Sequence, residues 1–229
     1  MLIDIKKYNK IVFFTGAGMS AESGVPTYRG SGGIWHMYNW EEFACQNAFD
    51  DNPKKVLDFH EIRRQSVLEC QPHAGHNFIT ELQKSNESIT VVTQNIDGMH
   101  QRARTDNIVE LHGSLWRLRC DNCGILIEDI GESFSNIKCD CGKYLRPDIV
   151  WFGDMLNSQI IQQASEIIQV SDLFISIGTS GVVWPAAGFP QEAKSNGAYC
   201  IEINTEWTEL SSMYDKVINC QASEIEKYL

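Results

Sequence analysis

Residues 11–30 read IVFFTGAGMSAESGVPTYRG, and this stretch decides the fold class. Its first part, Ile11–Phe14, is apolar and rich in β-branched and aromatic residues, which is typical of a buried strand. Gly16 and Gly18 follow at the predicted strand-to-helix turn, where glycines let the backbone approach a pyrophosphate closely. The third glycine of the usual dinucleotide fingerprint does not appear at its normal spacing. Two interpretations therefore stay open: a dinucleotide-binding loop, or a plain tight connection.

The rest of this stretch is a polar loop punctuated by glycine and proline. It carries Arg29, whose guanidinium could reach a phosphate group. On the first interpretation, Gly16 and Arg29 are candidates to contact the cofactor, and Glu22 is a further candidate in the same stretch.

The same strand-sized pattern recurs along the chain and alternates with helical patterns. The predicted strands are Ile11–Phe14, Ile89–Thr93, Ile108–Leu111, Leu173–Ile177 and Ala198–Ile203. The predicted helices are Pro53–Leu68, His73–Lys84, Gln159–Val170 and Pro185–Asn196. This alternation predicts an α/β fold, a Rossmann-like parallel sheet with helices on both faces.

Two segments interrupt the alternation, one aromatic and helical, the other rich in cysteine. We predict that residues 1–30, 71–116 and 146–229 form the Rossmann-like domain. A helical insertion at 31–70 and a zinc-binding module at 117–145 are predicted to form a second, smaller domain.

The composition narrows the class of protein. Of the 229 residues, 43% are hydrophobic, which is enough for a large core, and the net charge of -11 argues against binding to nucleic acid phosphates. The N-terminal residues do not resemble a signal peptide, and no run approaches the roughly 18 apolar residues of a membrane span. Four of the cysteines cluster at metal-ligand spacing, which favours a reducing compartment, so we expect a cytoplasmic location. We also expect a monomer.

A second polar segment, Thr93–His100, follows the strand at Ile89–Thr93 and reads TQNIDGMH. In an open parallel sheet, ligands bind beyond the carboxyl ends of the strands. Gln94, Asn95 and Asp97 could therefore recognise a carboxamide with paired donors and acceptors. A capped turn, in which these side chains bond only the local backbone, explains the same residues equally well.

His112 follows another predicted strand and precedes a glycine. Its ordinary pKa lies close to neutral pH, so it is a candidate general base. A structural histidine with satisfied hydrogen bonds is the alternative. His73 and His76 begin a helical segment and are predicted to cap or pack.

Four of the eight cysteines, Cys120, Cys123, Cys139 and Cys141, form two close pairs. Such pairs are typical of a tetrahedral structural zinc site. A redox pair or unrelated thiols are the alternatives.

Two further strand ends carry polar residues. Gly178, Thr179 and Ser180 could bind phosphate or ribose through backbone and hydroxyl donors, and Asn204 could contact a ribose hydroxyl. Polar loops at successive strand ends predict one shared cleft.

Taken in order, these motifs resemble the sirtuin family, in particular its branch of bacterial and mitochondrial desuccinylases and demalonylases. The resemblance rests on GAGMSAESGVPTYRG (16–30), TQNIDGMH (93–100), HG (112–113), the cysteine pairs, RPDIVWFGD (146–154), GTSGVVWPAA (178–187) and IN (203–204). It runs from about residue 10 to the C-terminus.

The resemblance implies a protein lysine deacylase that consumes NAD, releases nicotinamide and passes the acyl group to ADP-ribose. His112 would be the base toward a ribose hydroxyl. Gln94, Asn95 and Asp97, with Ile96 among them, would hold the nicotinamide and its ribose. The dinucleotide would be lined by Ala17, Arg29, Ser180 and Asn204. One zinc ion would be structural.

On the substrate side, the resemblance implies that Val150, Trp151 and Phe152, with Gly181 to Val183, clasp an acylated peptide as an added strand. The family usually has phenylalanine where this chain has Tyr28, a change that would add a hydroxyl near the cofactor.

The acyl preference is open. Members that remove succinyl or malonyl groups carry a Tyr-x-x-Arg pair, and Arg63 matches its arginine while His60 replaces its tyrosine. We expect Arg63 to pair with an acidic acyl group and His60 to add a pH-dependent donor. A pocket for plain acetyl-lysine is the alternative.

Other activities also fit such a cleft. An ADP-ribosyltransferase or an NAD glycohydrolase would pass the ribose to arginine or water. A non-catalytic module would bind NAD without releasing nicotinamide.

Overall fold

A computed structural model describes residues 2–28 and 33–229. The main sheet of this described part consists of β1 (Ile11–Thr15), β2 (Ile89–Thr93), β3 (Ile108–Glu110), β7 (Leu173–Ile177), β8 (Tyr199–Asn204) and β9 (Lys216–Asn219). These six strands are parallel and lie in the order β3-β2-β1-β7-β8-β9. The chain order reverses between β1 and β7, which places the ligand crevice of such a sheet there.

The α/β prediction is confirmed, and the five predicted strands lie within one or two residues of those observed. The sixth, Lys216–Asn219, was missed because only Ile218 of its four residues is buried. An edge strand with this pattern lacks the continuous apolar run that marks a strand covered on both faces.

Helices in the described residues are α1 (Gly18–Ala21), α2 (Ile34–Met37), α3 (Trp40–Phe43), α4 (Gln46–Asp51), α5 (Pro53–Leu68), α6 (Ala74–Ser85), α7 (Met99–Arg102), α8 (Ser158–Gln169) and α9 (Phe189–Ser195). Short 3₁₀ turns span Ile5–Lys7, Ala186–Gly188, Ser211–Met213 and Ala222–Lys227.

Local chemistry explains where the helices begin. Asn52 caps α5 by accepting a hydrogen bond from the Lys55 backbone, and Pro53 occupies its first turn. The prediction of one helix over Pro185–Asn196 was wrong in its first part. Pro190 lies in the first turn of α9, and proline is tolerated there but not in a helix interior.

The core consists of three apolar clusters. Two lie on opposite faces of the main sheet, one around Phe13 and Ile175 and the other around Phe14 and Phe174. The alternation of neighbouring residues between the two clusters follows from the two-residue repeat of a strand. The central strands β1, β2 and β7 are thus buried on both faces.

The third cluster joins the two segments that interrupt the α/β pattern. Val56 and Leu57 of α5 pack with Leu118, Cys120 and Leu145, beside a three-stranded sheet. The strands of that sheet, in the order β5-β4-β6, are β4 (Gly113–Arg119), β5 (Leu126–Glu128) and β6 (Arg146–Ile149). One shared core is what the prediction of a small domain requires, while its boundaries at 31–70 and 117–145 stay a prediction.

No helix in the described ranges is long and apolar enough to cross a membrane.

Candidate active site

One cleft of about 1000 Å³ opens where the main sheet meets the small domain. It lies at the carboxyl ends of β1, β2, β7 and β8, as expected for a parallel sheet whose strand order reverses. Predicted site residues that line it are Gly16, Ala17, Glu22, His60, Arg63, Gln94, Asn95, Ile96, His112, Val150, Trp151, Phe152, Gly178, Thr179, Ser180, Val183 and Asn204. Arg29 lies outside the described residues.

Two glycine-bearing loops form the floor of the cleft. The Gly18 N–H donates to the Gly178 carbonyl at 2.9 Å, and a Cβ on Gly18 would lie 2.7 Å from the Gly178 Cα. Such close approach of two backbones requires glycine. The Asn204 amide donates to the Thr179 carbonyl at 2.9 Å and ties the loop after β8 to the same floor. A narrow backbone cradle of this kind suits a dinucleotide's phosphates and ribose.

Two of the predicted cofactor residues have structural partners. The Glu22 carboxylate accepts hydrogen bonds from the backbone and hydroxyl of Ser223, at 2.9 and 2.6 Å. The Thr179 hydroxyl pairs with Ser176 at 2.8 Å. Both residues line the cleft, but their side-chain polar atoms also hold neighbouring segments in position.

The segment that follows β2 is held in place by hydrogen bonds to the residues that follow β1. The Asn95 amide donates to the Gly16 carbonyl at 2.9 Å and to the Ser20 hydroxyl at 3.3 Å. Its side-chain carbonyl oxygen is not used in these bonds, and Asn95 lines the cleft. Asn95 therefore links the loops that follow β1 and β2.

Asp97 lies behind this wall, buried, and is not among the residues that line the cleft. Burial raises the pKa of its carboxyl group, while hydrogen bonds from Met99 and Ser20 oppose the rise. Its carboxylate accepts from the Met99 backbone at 2.8 Å, and its carbonyl accepts from the Trp116 indole at 2.7 Å. Asp97 therefore makes no direct contact with the cleft, and any effect on a ligand would pass through the residues that cover it.

His112 occupies the junction between β3 and β4. Its Nδ1 donates to the Gln94 carbonyl at 2.9 Å, because a carbonyl can only accept. The Nε2 of the neutral ring is therefore left as an acceptor. Burial lowers the pKa of His112, and the hydrogen bond to Gln94 partly opposes this. The ring is thus a neutral base at neutral pH.

Gly113 allows this placement. Its φ is 77°, and a Cβ there would lie 1.9 Å from the Asp148 carbonyl oxygen. The Val150 N–H in turn donates to the His112 carbonyl at 3.0 Å. The end of β6 therefore lies directly beside His112.

The predicted peptide-clasping residues lie on the outer wall of the cleft. Phe152 donates its backbone N–H to the Ala44 carbonyl at 3.0 Å, which joins this wall to the helical insertion. Trp151 is buried and stacks over the Arg146 guanidinium, 3.6 Å from ring centroid to Cζ. Val150 and Val183 line the cleft as well.

His60 does not have the role of a pH-dependent donor that the sequence suggested. Its Nδ1 donates to the Val56 carbonyl at 2.8 Å, and its Nε2 accepts from the Trp151 indole at 3.4 Å. Burial lowers the pKa of His60 to about 3. The ring stays neutral at neutral pH and has no N–H to offer the cleft, because both nitrogens are engaged.

Arg63 lies one helical turn further along the same wall. Its Nη2 donates to the Tyr28 hydroxyl at 2.9 Å, and its guanidinium lies 5.2 Å from the Tyr28 ring and 6.0 Å from the Phe59 ring. No carboxylate of residues 2–28 or 33–229 forms an ion pair with it. The Arg63 guanidinium thus lies in the cleft without a direct ion pair, although its charge acts on the buried Asp97 carboxyl and partly opposes the rise in pKa that burial causes there.

Four cysteine thiols converge in the small domain. The Sγ atoms of Cys120 and Cys141 lie 3.5 Å apart, those of Cys123 and Cys139 lie 3.4 Å apart, and all four lie within 4.8 Å of one another. A tetrahedral zinc with Zn–S bonds of about 2.3 Å places its sulfurs about 3.8 Å apart. The donor set therefore fits one zinc ion without a free coordination position.

Tyr28, which the family resemblance placed near the cofactor, lines the cleft. Several other lining residues were not predicted from the sequence, among them Trp35, Trp184 and Trp207. Trp184 and Trp207 are 73% and 71% exposed, which is unusual for tryptophan in a folded chain. Tryptophans that soon follow a polar strand end were the signal that could have revealed them.

The predicted structural role of His73 and His76 is confirmed. His73 caps α6 by accepting from the Gly75 backbone, and its other ring nitrogen donates to the Met19 carbonyl at 2.7 Å. His76 completes the capping box and packs against His100, with ring centroids 5.0 Å apart.

Comparison with known proteins adds to this geometry. The sequence model of the Sir2 family matches residues 16–185. The NAD-dependent protein deacylase of Aquifex aeolicus (strain VF5) is 42% identical over 216 residues, which cover 93% of this chain and 90% of that protein.

Solved structures of Sir2 proteins have the same fold as this chain. A Sir2 homologue in complex with NAD superposes with a TM-score of 0.88 at 40% identity, over 96% of this chain and 88% of that one. A Sir2 protein with a deacetylated p53 peptide and 3′-O-acetyl ADP-ribose superposes with a TM-score of 0.85 at 27% identity, over 98% and 93%. By the motifs it carries, the fold it adopts and these relatives, the chain belongs to the Sir2 family.

Proposed function

We propose that this protein is an NAD-dependent protein lysine deacylase that passes the acyl group to ADP-ribose and releases nicotinamide. The observation that carries this is the orientation of His112. Its Nδ1 is engaged by Gln94, so its basic Nε2 is available at the point where the nucleotide cradle meets the peptide wall. The proposal is supported by the relatives and structural neighbours of this chain, which include an NAD-dependent protein deacylase and Sir2 complexes with NAD and with 3′-O-acetyl ADP-ribose.

NAD is the co-substrate, and its binding is assigned to the floor of the cleft. The backbone around Gly16, Ala17 and Gly178 would receive the phosphates, and Ser180 and Asn204 a ribose. Gln94, Asn95 and Ile96 would bind the nicotinamide half, with Asn95 supplying an amide oxygen as acceptor. The buried Asp97 would position this segment by accepting the hydrogen bond from the Met99 backbone. When bound, NAD would supply an electrophilic ribose carbon, whose bond to nicotinamide is broken, and a ribose hydroxyl that receives the acyl group.

His112 would take a proton from a ribose hydroxyl at its Nε2. A base that operates in this way must be neutral before the step, and its lowered pKa ensures this at neutral pH. The Gln94 carbonyl would stabilise the ring when it becomes charged, because it accepts the Nδ1–H bond in both states.

The acylated lysine would enter between the two walls of the cleft. Val150 to Phe152 on one side and Val183 on the other would pair with the peptide backbone. The structural neighbour that holds a p53 peptide supports a peptide substrate of this kind. Trp35 and Phe152, with ring centroids 5.5 Å apart, would cover the apolar lysine stem.

The acyl group is proposed to be acidic, such as succinyl or malonyl. Arg63 supports this, because its charge lies in the cleft without a carboxylate partner in the described parts of the chain. An unpaired guanidinium in a partly buried site favours a carboxylate ligand.

The zinc site is proposed to be structural, since four thiolates fill a tetrahedral shell. The thiols of all eight cysteines are free, which supports a reducing location such as the cytoplasm. A monomer is proposed, because one chain supplies both walls of the cleft.

A mass-spectrometric assay tests the function. The protein is incubated with NAD and matched acetyl-, succinyl- and malonyl-lysine peptides, and peptide, nicotinamide and O-acyl-ADP-ribose are quantified. The expected result is NAD-dependent acyl loss with one O-acyl-ADP-ribose formed for each nicotinamide. NAD consumption without acyl loss would instead indicate a transferase or a glycohydrolase, and binding without consumption a non-catalytic module.

A further inference from the structure

The wall of the cleft that carries Arg63 lacks one donor that a two-point carboxylate site needs. His60 precedes Arg63 by one helical turn, but its Nδ1–H is used by Val56 and its Nε2 by Trp151. Both rings, His60 and Trp151, are buried and in mutual contact, with centroids 5.8 Å apart. His60 therefore packs the wall and donates nothing to a ligand.

Tyr28 comes from a different part of the chain and meets Arg63 across the cleft wall. Its hydroxyl oxygen accepts from the Arg63 Nη2 at 2.9 Å. A phenol that accepts in this way keeps its own O–H as a donor. Within residues 2–28 and 33–229 that proton has no hydrogen-bond acceptor.

The two groups are also held in place. The Arg63 guanidinium lies over the rings of Tyr28 and Phe59, and Tyr28 packs against Trp35 with centroids 6.1 Å apart. Aromatic faces restrict the side-chain freedom of an arginine, so less entropy is lost when a ligand binds. The result is a fixed pair of donors, one charged and one neutral, both facing the cleft.

We propose that Tyr28 and Arg63 together form the site that recognises the carboxylate of an acidic acyl-lysine, with the Tyr28 hydroxyl as the second donor. One carboxylate oxygen accepts from Arg63 and the other from Tyr28, whose oxygen remains hydrogen-bonded to the arginine. This assignment rests on the proposed deacylase function and makes Tyr28 a residue that determines acyl specificity.

The test compares two substrates that differ in charge but not in the length of the acyl chain. Succinyl-lysine and butyryl-lysine peptides each carry four acyl carbons, and only the first ends in a carboxylate. The quantity measured is the ratio of kcat/KM for succinyl over butyryl. It is determined for the wild type, for Tyr28→Phe and Arg63→Met, and for Tyr38→Phe as the matched control.

Tyr38 suits the control because it belongs to the same aromatic group, 4.9 Å from Phe59, without lining the cleft. We expect Tyr28→Phe to lower the ratio about 10-fold, because one hydrogen bond to a charged group is lost. Arg63→Met should lower the ratio further, because the charge itself is removed. Tyr38→Phe should leave the ratio unchanged. Binding of the succinyl peptide by calorimetry without NAD should weaken in the same order.

The outcomes separate the two claims. A ratio for Tyr28→Phe within twofold of wild type, while Arg63→Met abolishes the preference, would refute the role of Tyr28 and leave the deacylase function intact. A ratio below one in the wild type would refute the acidic site as a whole. Failure of the wild type to remove either acyl group would overturn the proposed function, and with it this inference.

Discussion

His112 shows how a single hydrogen bond prepares a side chain for chemistry. The Gln94 carbonyl selects the tautomer that leaves Nε2 as acceptor, and Gly113 permits the backbone geometry that brings the ring there. The residue type alone made His112 a candidate base, because imidazole titrates near neutral pH. Its orientation depended on residues from β2 and β6, which are distant in sequence.

Replacement of His112 by alanine is expected to lower kcat/KM for acyl transfer by about 10² to 10⁴, the usual contribution of a positioned base. NAD binding should be retained. The measurement is the rate of O-acyl-ADP-ribose formation, with His36→Ala, an exposed histidine of α2, as control. Wild-type rates in the His112 variant would exclude it as the base.

The pH profile of kcat/KM should reflect the lowered pKa of His112. The base is active when neutral, so activity is expected to fall as pH drops through its pKa, which lies below the ordinary value of 6.5. The acid limb should therefore have its midpoint below pH 6.5. A midpoint above 7 would contradict the assignment.

At the scale of elements, α5 connects the helical insertion to the cysteine-rich segment. Arg64 is fully buried and donates to the Asp129 carboxylate at 2.6 Å and to backbone carbonyls of Asp129 and Gly131. Its guanidinium also lies 4.5 Å from the Phe134 ring. The helix itself was predicted correctly over Pro53–Leu68, yet its sequence did not reveal which arginine faces inward.

Arg64→Met should lower the free energy of unfolding by about 3 kcal/mol or more, because the Asp129 carboxylate would be left buried without its counter-charge. Gln65→Met, at an exposed position of the same helix, is the matched control. Both are compared by urea denaturation. Equal stabilities would show that the buried pair contributes little.

The cysteine cluster is expected to bind one zinc ion per chain. Metal analysis should find it in the purified protein, and Cys123→Ser should reduce the zinc content and lower the Tm, since metal binding and folding of such sites are coupled. Cys45→Ser, at a half-buried thiol outside the cluster, should change neither. A folded, active protein without metal would argue against a structural zinc.

At the scale of the whole molecule, the packing of three histidines makes stability depend on pH. Burial lowers the pKa of His60 and His100 to about 3 and that of His76 to about 2. In the unfolded chain each would titrate near 6.5, so below that pH the unfolded state binds more protons and gains stability relative to the folded state.

The free energy of unfolding should therefore fall between pH 7 and pH 5, by up to about 2 kcal/mol for each buried histidine. His60→Gln should reduce this loss, whereas His36→Gln, at an exposed site, should not. Denaturant titrations at the two pH values measure it. An identical pH dependence in the wild type and His60→Gln would contradict the neutral, buried state of His60.

What the sequence determined by itself is the part of the structure that local patterns encode. Apolar runs of strand length identified five of the six main strands, and cysteine spacing identified the metal-ligand set. Polar residues at strand ends identified part of the cleft lining. These predictions succeeded because the two-residue repeat of a strand and the proximity of paired thiols operate over a few residues.

What only the tertiary structure decided is which distant side chains meet. The contact of Tyr28 with Arg63, and of His60 with Trp151, joins segments 35 and 91 residues apart. The first contact leaves the Tyr28 hydroxyl free to donate a hydrogen bond, and the second belongs to the buried packing that keeps His60 neutral at neutral pH. Burial and the choice of partner set hydrogen-bond roles and pKa, and both depend on how separate segments pack rather than on any pattern within one of them.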